Sequence, residues 1–266
     1  MDLGMKGKTA VITGGSQGIG FATAKAFLHE GASVAFFARD LGRCKSAADA
    51  LGQQEHVYYE AIDATDSTAV YGFAGRVHEH FGRIDYWVNN VGASIRKAGD
   101  EYVDSEIDWI TGVCFKSAVF GCQAAFRYMK HSGGAIVNVS SLAARCPSAG
   151  KSTLYGPLKA AIVNLTTTFA GEYAAYGVRV NCVLPGFTMT SALQSGFNMT
   201  EIQRNVEGTL LQRAAEPIEI ARPIVFLSSD AASYITAASL EISGGRCVTL
   251  NPTYSFDQKA LEMEER

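Results

Sequence analysis

The stretch that most limits what this chain can fold into is Ala10-Val11-Ile12-Thr13-Gly14-Gly15-Ser16-Gln17-Gly18-Ile19-Gly20. Thr9 to Ile12 is a short apolar run that reads as a fully buried strand. A glycine-rich turn follows, and Phe21 to His29 continues with helical spacing. Strand, glycine turn and helix in that order make the first half of a nucleotide-binding βαβ unit. Gly14 permits a sharp turn, Gly18 lets backbone N–H groups approach a pyrophosphate at the positive end of the helix, and Gly20 lets that helix pack closely on the strand. Ser16, Gln17 and Ile19 lie in the same turn and join the candidate dinucleotide contacts. A flexible surface loop is the competing reading of the glycines, and their position directly after a buried strand argues against it.

The remaining sequence fits one such unit repeated. The chain has 266 residues, 47% of them hydrophobic, with no low-complexity segment or proline-rich linker. The expectation is therefore a single dinucleotide-binding and catalytic domain over 1–266. A net charge of −3 with scattered Lys and Arg leaves no electrostatic footprint for nucleic acid. No apolar run reaches the length of about 18 residues that a membrane span needs, and the N-terminus lacks a secretory pattern. Cys44, Cys114, Cys122, Cys146, Cys182 and Cys247 show no C-x-x-C spacing, which fits a reduced, cytoplasmic protein. His78 and His80 are not at zinc-ligand spacing, so no metal is expected.

Strand candidates are Thr9–Thr13, Ser33–Ala38, Val57–Ala61, Tyr86–Asn89, Ala135–Val139, Arg179–Val183 and Ser239–Ile242. Helical stretches fall near 18–30, 41–52, 66–81, 105–131, 152–176 and 217–228, with Asp66 and Ser105 as N-caps and Gly31 and Gly82 at helix ends. Alternating βα units predict an α/β fold with a doubly wound parallel sheet of about seven strands and helices on both faces.

The end of the second strand, Phe36-Phe37-Ala38-Arg39-Asp40, bears on the cofactor. An acid there would bind the adenosine ribose 2′-OH, whereas an Arg accepts a 2′-phosphate. Ala38 stands where the acid would be and Arg39 follows, which favours NADP(H) and leaves NAD(H) possible. Asp40 can partly neutralise Arg39, and Gln17 stands where a second cation would strengthen the case. Asp63 is placed for the adenine amino group with Ala64 beside the ring, although a turn role suits Asp63 equally. Asn89 and Asn90 end the fourth strand at the switch point of the sheet, where ligands bind.

The fifth strand ends Val139-Ser140-Ser141, and Tyr155 and Lys159 follow four residues apart, on one helix face. That spacing alone recurs by chance in a chain with 11 Tyr. Together with the T-G-x-x-x-G-x-G turn and Asn89-Asn90-Val91-Gly92, the ordered set resembles the short-chain dehydrogenase/reductase family over about residues 8–245. The resemblance implies a Rossmann-type fold and hydride transfer between a nicotinamide cofactor and a secondary alcohol or ketone. A phenol alone holds its proton too tightly for ready exchange at neutral pH, and an ammonium close by stabilises the phenolate. The resemblance accordingly makes Tyr155 the proton donor or acceptor and Lys159 its partner and a nicotinamide-ribose contact. It makes Ser141 the hydroxyl that holds the substrate oxygen, with Ser140 as the alternative, because the gap to Tyr155 is one residue longer than usual.

It further implies that Pro185-Gly186-Phe187-Thr188 meets the nicotinamide carboxamide through backbone at Phe187 and Thr188, and that the Thr190 hydroxyl reaches the amide or pyrophosphate. Residues of about 188–213 read as an irregular substrate lid whose Leu193, Phe197, Met199, Leu210 and Leu211 favour an apolar substrate such as a hydroxysteroid or an acyl chain, or else bury against the domain or a neighbouring subunit. Arg96, Lys97 and Arg145 border the cleft and can meet an anionic group or stay solvated. The tail from about 250 to 266 follows the last strand, and a homotetramer or homodimer is implied by the resemblance. Three departures stand out. Cys114 occupies the place of the family's relay Asn, Pro157 lies between Tyr155 and Lys159 so that the helix starts late or bends, and Ala237 and Ser243 replace the usual Gly and Asp. The first two leave a non-catalytic dinucleotide sensor as the rival to an enzyme.

Overall fold

A computed structural model describes residues 2–147, 149 and 151–264. Seven parallel strands form one sheet: β1 (Thr9–Thr13), β2 (Ser33–Ala38), β3 (Val57–Ala61), β4 (Tyr86–Asn89), β5 (Gly134–Val139), β6 (Val178–Pro185) and β7 (Ser239–Ile242). Their spatial order is β3-β2-β1-β4-β5-β6-β7, so the direction of winding reverses between β1 and β4. The helices are α1 (Gly18–His29), α2 (Leu41–Leu51), α3 (Ser67–Phe81), α4 (Asp104–Thr111), α5 (Ser117–Met129), α6 (Tyr155–Tyr173), α7 (Ser191–Gly196), α8 (Met199–Glu207), α9 (Pro217–Ser228) and α10 (Tyr254–Glu264).

Alternation along each strand divides the core into two layers. Ile12, Val34, Phe36, Val88 and Val137 pack with Phe27 of α1, Cys44 of α2 and Ile220 and Ile224 of α9. Their neighbours Val11, Ala35, Phe37, Trp87 and Ile136 pack with Phe73 of α3, Met129 of α5 and Tyr173 of α6 on the opposite face. This is the doubly wound Rossmann-type sheet the alternating units predict, with strand bounds matching to within two residues. Among the described residues, no helix is long and apolar enough to cross a membrane.

Three local expectations are corrected. The long helix near 105–131 is two helices joined by a wide π-helical turn, Gly112–Lys116, a device that recurs at functional sites. Its N-cap is Val103 rather than Ser105, because the Glu106 carboxylate reaches back to the Val103 N–H at 3.2 Å. Residues 191–213 are not irregular. The Thr190 hydroxyl accepts from the Leu193 N–H at 3.3 Å to start α7, and an Asn198–Glu201 capping box starts α8. Asp66 does cap α3, accepting from Thr68 and Ala69, and Gly82 ends it at φ +76.

Below the carboxyl ends of β4 and β5 runs a buried polar chain. Trp87 Nε1–H donates to Asn89 Oδ1 at 2.8 Å, Asn89 Nδ2 to Asn138 Oδ1 at 2.8 Å, and Asn138 Nδ2 to the Thr166 hydroxyl at 3.0 Å. It joins two strands to α6 in the low dielectric where each such bond matters most. Gly121 of α5 leaves room for it, since a Cβ there would run into Asn89 Oδ1 and stand 2.7 Å from Trp87 Nε1. Gly121→Ala should therefore lower stability by about 2 kcal/mol or more, from overpacking plus a broken buried bond. The urea midpoint checks this, and a change under about 0.5 kcal/mol would show that the chain yields easily.

Candidate active site

One cleft of about 890 Å³ opens along the carboxyl ends of β1, β2, β4, β5 and β6, at the point where the winding reverses. The residues singled out for cofactor or chemistry that line it are Gly14, Ser16, Gln17, Gly18, Ile19, Arg39, Asp63, Ala64, Asn90, Ser141, Tyr155, Lys159, Pro185, Gly186, Thr188 and Thr190, whereas Gly20 and Phe187 do not. Gly20 sits behind the turn, where a Cβ would run into the Gly14 carbonyl, so its part is close packing.

At one end of the cleft the glycine turn is shaped for an anion. Gly14 and Gly18 hold φ of +70 and +56, conformations that L side chains rarely adopt. The N-cap of α1, Gln17, makes no side-chain capping bond and no acid occupies the first turn, so the leading N–H groups keep their positive field. Asn90 holds the turn in place, its Nδ2 donating to Thr13 O at 3.0 Å and Gly14 O at 3.2 Å. The Thr13 hydroxyl accepts from the Asn90 and Val91 N–H groups at 3.0 and 3.1 Å.

At the end of β2, Arg39 is exposed on the cleft wall and forms no ion pair or hydrogen bond with another described residue. Asp40, which the sequence allowed as a partial counter-charge, makes no ion pair with Arg39. Asp40 caps α2, accepting from the Arg43 N–H at 2.9 Å, and its carboxylate lies 3.9 Å from Arg43 Nε. Arg43, in the first turn of α2, also lines the cleft and is a second cation there that sequence reasoning did not single out. Asp63 takes the turn role and also lines the cleft. Its Oδ1 accepts from the Thr65 N–H and hydroxyl at 2.9 and 2.8 Å, while the residue still faces the cleft beside Ala64.

At the other end, α6 begins at Tyr155 and places Tyr155 and Lys159 on the cleft wall. The helix does not start late. Pro157 falls in its first turn, where backbone N–H groups have no intrahelical acceptor to lose. Lys159 is 2% exposed, with Nζ 5.7 Å from the Tyr155 ring centre and donating to Val139 O at 2.8 Å. Gly92 makes space for that ammonium, since a Cβ there would lie 2.9 Å from Nζ.

The two serines differ. Ser140 is buried and donates its O–H to Lys159 O at 2.7 Å. Ser141 accepts from the Ala143 N–H at 3.1 Å, which leaves its own O–H to donate into the cleft. Trp109 and Val113, not singled out from the sequence as cleft residues, also line it, as does Leu193 of the expected lid. Cys114 is buried and its thiol donates to Ala93 O at 2.9 Å.

The rim corrects two further expectations. Phe187 does not line the cleft, and its carbonyl is taken by the Ala215 N–H at 2.9 Å. Arg96, Lys97 and Arg145 are all engaged. Arg96 donates to Gly196 O at 2.6 Å and to Glu201 Oε1 at 2.5 Å and lies 4.7 Å over the Phe197 ring. Lys97 pairs with Glu106 at 2.7 Å and Arg145 with Glu241 at 3.1 Å. Of the five apolar residues named above for the lid, Leu193 alone lines the cleft; Phe197 packs against Phe187 and Arg96, and Leu210 and Leu211 lie against the Gly244–Gly245 turn.

The profile of a family described as Enoyl-(Acyl carrier protein) reductase matches residues 14–246. The chain is 34% identical to 3-oxoacyl-(acyl-carrier-protein) reductase of Chlamydia pneumoniae, over 92% of this chain and 99% of that protein. It is 33% identical to a 3alpha-hydroxysteroid dehydrogenase of Mediterraneibacter gnavus, over 90% of this chain and 97% of that one. Its fold superposes on L-sorbose reductase from Gluconobacter frateurii, solved with NADPH and L-sorbose, at a TM-score of 0.87 and 31% identity, covering 94% of this chain and 100% of that one. The cleft at the switch point, with its glycine turn and its Ser, Tyr and Lys, thus lies in a chain that belongs to the short-chain dehydrogenase/reductase family of oxidoreductases.

Proposed function

We propose that this protein is an NADP(H)-dependent oxidoreductase that interconverts a secondary alcohol and a ketone within one catalytic domain. The observation that carries the reading is the meeting of Ser141, Tyr155 and Lys159 on one wall of the cleft that begins at the glycine turn. The residues present fit a nicotinamide dinucleotide. The positive-φ turn and uncapped α1 suit the pyrophosphate, Asp63 and Ala64 the adenine, Arg39 and Arg43 a 2′-phosphate, and Asn90, Pro185, Gly186, Thr188 and Thr190 the far half. When bound, the nicotinamide supplies or accepts hydride.

The chain's own part is proton transfer and orientation. Ser141 donates its O–H to the substrate oxygen and fixes it beside Tyr155. Tyr155 gives that oxygen a proton in reduction and takes it in oxidation. Lys159, held by Val139 O within 5.7 Å of the Tyr155 ring, stabilises the charge that develops on the phenol by about 3 kcal/mol at an effective dielectric of about 20. Ser140 serves by anchoring α6 through Lys159 O.

The wall formed by Trp109, Val113 and Leu193 favours a carbonyl with hydrocarbon around it, as in a hydroxysteroid or an acyl chain, and the segment 188–213 acts as its lid. No membrane contact or nucleic-acid partner enters this reading, which places the enzyme in the cytoplasm as a homo-oligomer. Purified protein assayed with NADPH against steroids, acyl thioesters and ketoses, following the absorbance of the reduced nicotinamide, tests it. Oxidation of NADPH with at least one carbonyl supports the enzyme. Tight NADPH binding with no turnover across the panel would instead mark a sensor. The serine roles separate in the same assay. Ser141→Ala should lower kcat by about 10²-fold as an oxyanion donor is lost. Ser140→Ala should mainly cost about 1–3 kcal/mol of stability, by leaving a buried carbonyl unpaired. The reverse pattern would exchange the two assignments.

A further inference from the structure

The helix that carries Tyr155 and Lys159 meets the core along a stripe of Gly156, Lys159, Ile162, Thr166, Ala170 and Tyr173, all buried. Most of that stripe is apolar or small. Apolar contact is non-directional, so it fixes neither the axial position of a helix nor its tilt closely. Two polar members supply direction by bonding to three consecutive residues at and just past the end of β5. Lys159 Nζ donates to Val139 O at 2.8 Å, and Lys159 O accepts from the Ser140 hydroxyl at 2.7 Å. Thr166, two turns on, accepts from Asn138 Nδ2 at 3.0 Å and donates to Ile162 O of its own helix at 2.8 Å. Asn138 is 0% exposed, and its Oδ1 accepts from Asn89 Nδ2 at 2.8 Å, which aims its amide N–H at α6. Neither Asn138 nor Thr166 lines the cleft.

We propose that Asn138 and Thr166 are positioning residues for the Tyr155–Lys159 pair, their bond being the second point of a clamp whose first point is Lys159. Its effect on turnover rests on the catalytic reading, whereas its effect on how Lys159 is held rests on geometry alone.

A helix held at one residue is free to pivot there. Thr166 lies about 10 Å beyond Lys159 along α6 and Tyr155 about 6 Å before it, from the rise per residue of a helix. With Lys159 as the pivot, a slip of about 1 Å at Thr166 moves Tyr155 by about 0.6 Å the other way. Displacements of this order are costly at a reacting group, since a misplacement of about 1 Å costs up to about 10²-fold in rate. The far point matters because the ammonium of Lys159 is a soft anchor, joined to the helix by a flexible four-carbon stem. Ser140 stiffens the near point through the main chain, and the Asn138–Thr166 bond supplies the lever arm that holds the direction of the axis.

The full chain is compared unsubstituted, as Thr166→Val, which keeps the shape and loses the hydroxyl, and as Thr166→Ser, which keeps the hydroxyl. Lysines are trace-acetylated with acetic anhydride, thiols are alkylated with iodoacetamide, and both rates are read by peptide mass. Thr166→Val should raise acetylation of Lys159, 2% exposed, by about fivefold or more as α6 loosens, with the exposed Lys25 unchanged. Cys44, buried in the opposite layer of the core, should stay unalkylated, and Thr166→Ser should match the unsubstituted chain. With a carbonyl that is turned over, kcat of Thr166→Val should fall about 10- to 100-fold while KM and NADPH affinity stay within about fivefold. A chain with no turnover fails the catalytic reading alone, since the Lys159 rates still decide the clamp. Lys159 acetylated no faster, Cys44 alkylated in step with Lys159, or an unchanged kcat would each overturn the proposal. Should Thr166→Val not fold, Asn138→Ala combined with Thr166→Val removes both halves of the bond, and failure of that pair to fold would overturn it as well.

Discussion

Tyr155→Phe should reduce kcat by about 10³-fold or more while NADPH affinity stays within about threefold. The substitution removes one hydroxyl and nothing else from the start of α6, where the ring stands beside the Lys159 ammonium and faces the cleft. Lys159 keeps its bond to Val139 O and Ser140 its bond to Lys159 O, so the wall that would meet the ribose is unchanged. Only the proton donor is lost, and a positioned donor of this kind is worth about 10²–10⁴. Steady-state kinetics on the best carbonyl, with fluorescence titration of NADPH, separates the two effects. A loss under about tenfold would mean that another group carries the proton.

The second large effect concerns the cofactor. Arg39→Ala should weaken NADPH binding by about 10- to 150-fold and leave NADH binding nearly unchanged. That is the span of one charge-assisted contact, about 1.5–3 kcal/mol. The size follows from the free state of Arg39, which has no partner to give up among the described residues, while Asp40 is committed to capping α2. Arg43→Ala should act in the same direction and less strongly, because its guanidinium already lies near Asp40. Equal losses for both cofactors would remove the 2′-phosphate from the account and restore NAD(H) as the rival.

What the sequence disclosed and what it hid have separate physical causes. The central strands β1, β2 and β4 are legible because each is a short, largely apolar run, and burial on both faces leaves little choice of register. The site is legible because its groups sit at strand ends and at a fixed helical spacing, both local properties. Hidden were features decided by distant partners. The π-helical turn after α4 carries a thiol that donates to Ala93 O. The helices α7 and α8 start at caps, Thr190 and Asn198, inside a stretch read as an irregular lid. The pairing of Arg96 with Glu201 joins residues with no local relation in sequence.

That last contact bears on which molecules the protein accepts. Because Arg96 is drawn toward a backbone carbonyl, a carboxylate and an aromatic face at once, it does not offer an open guanidinium to an arriving acid. Lys97 and Arg145 are tied to Glu106 and Glu241 in the same way. A keto acid would have to compete with Glu201 for its counter-ion and would loosen the closure it needs, whereas an uncharged ketone meets no such opposition. On the proposed reading, cations already tied to protein carboxylates favour a neutral carbonyl over an acid.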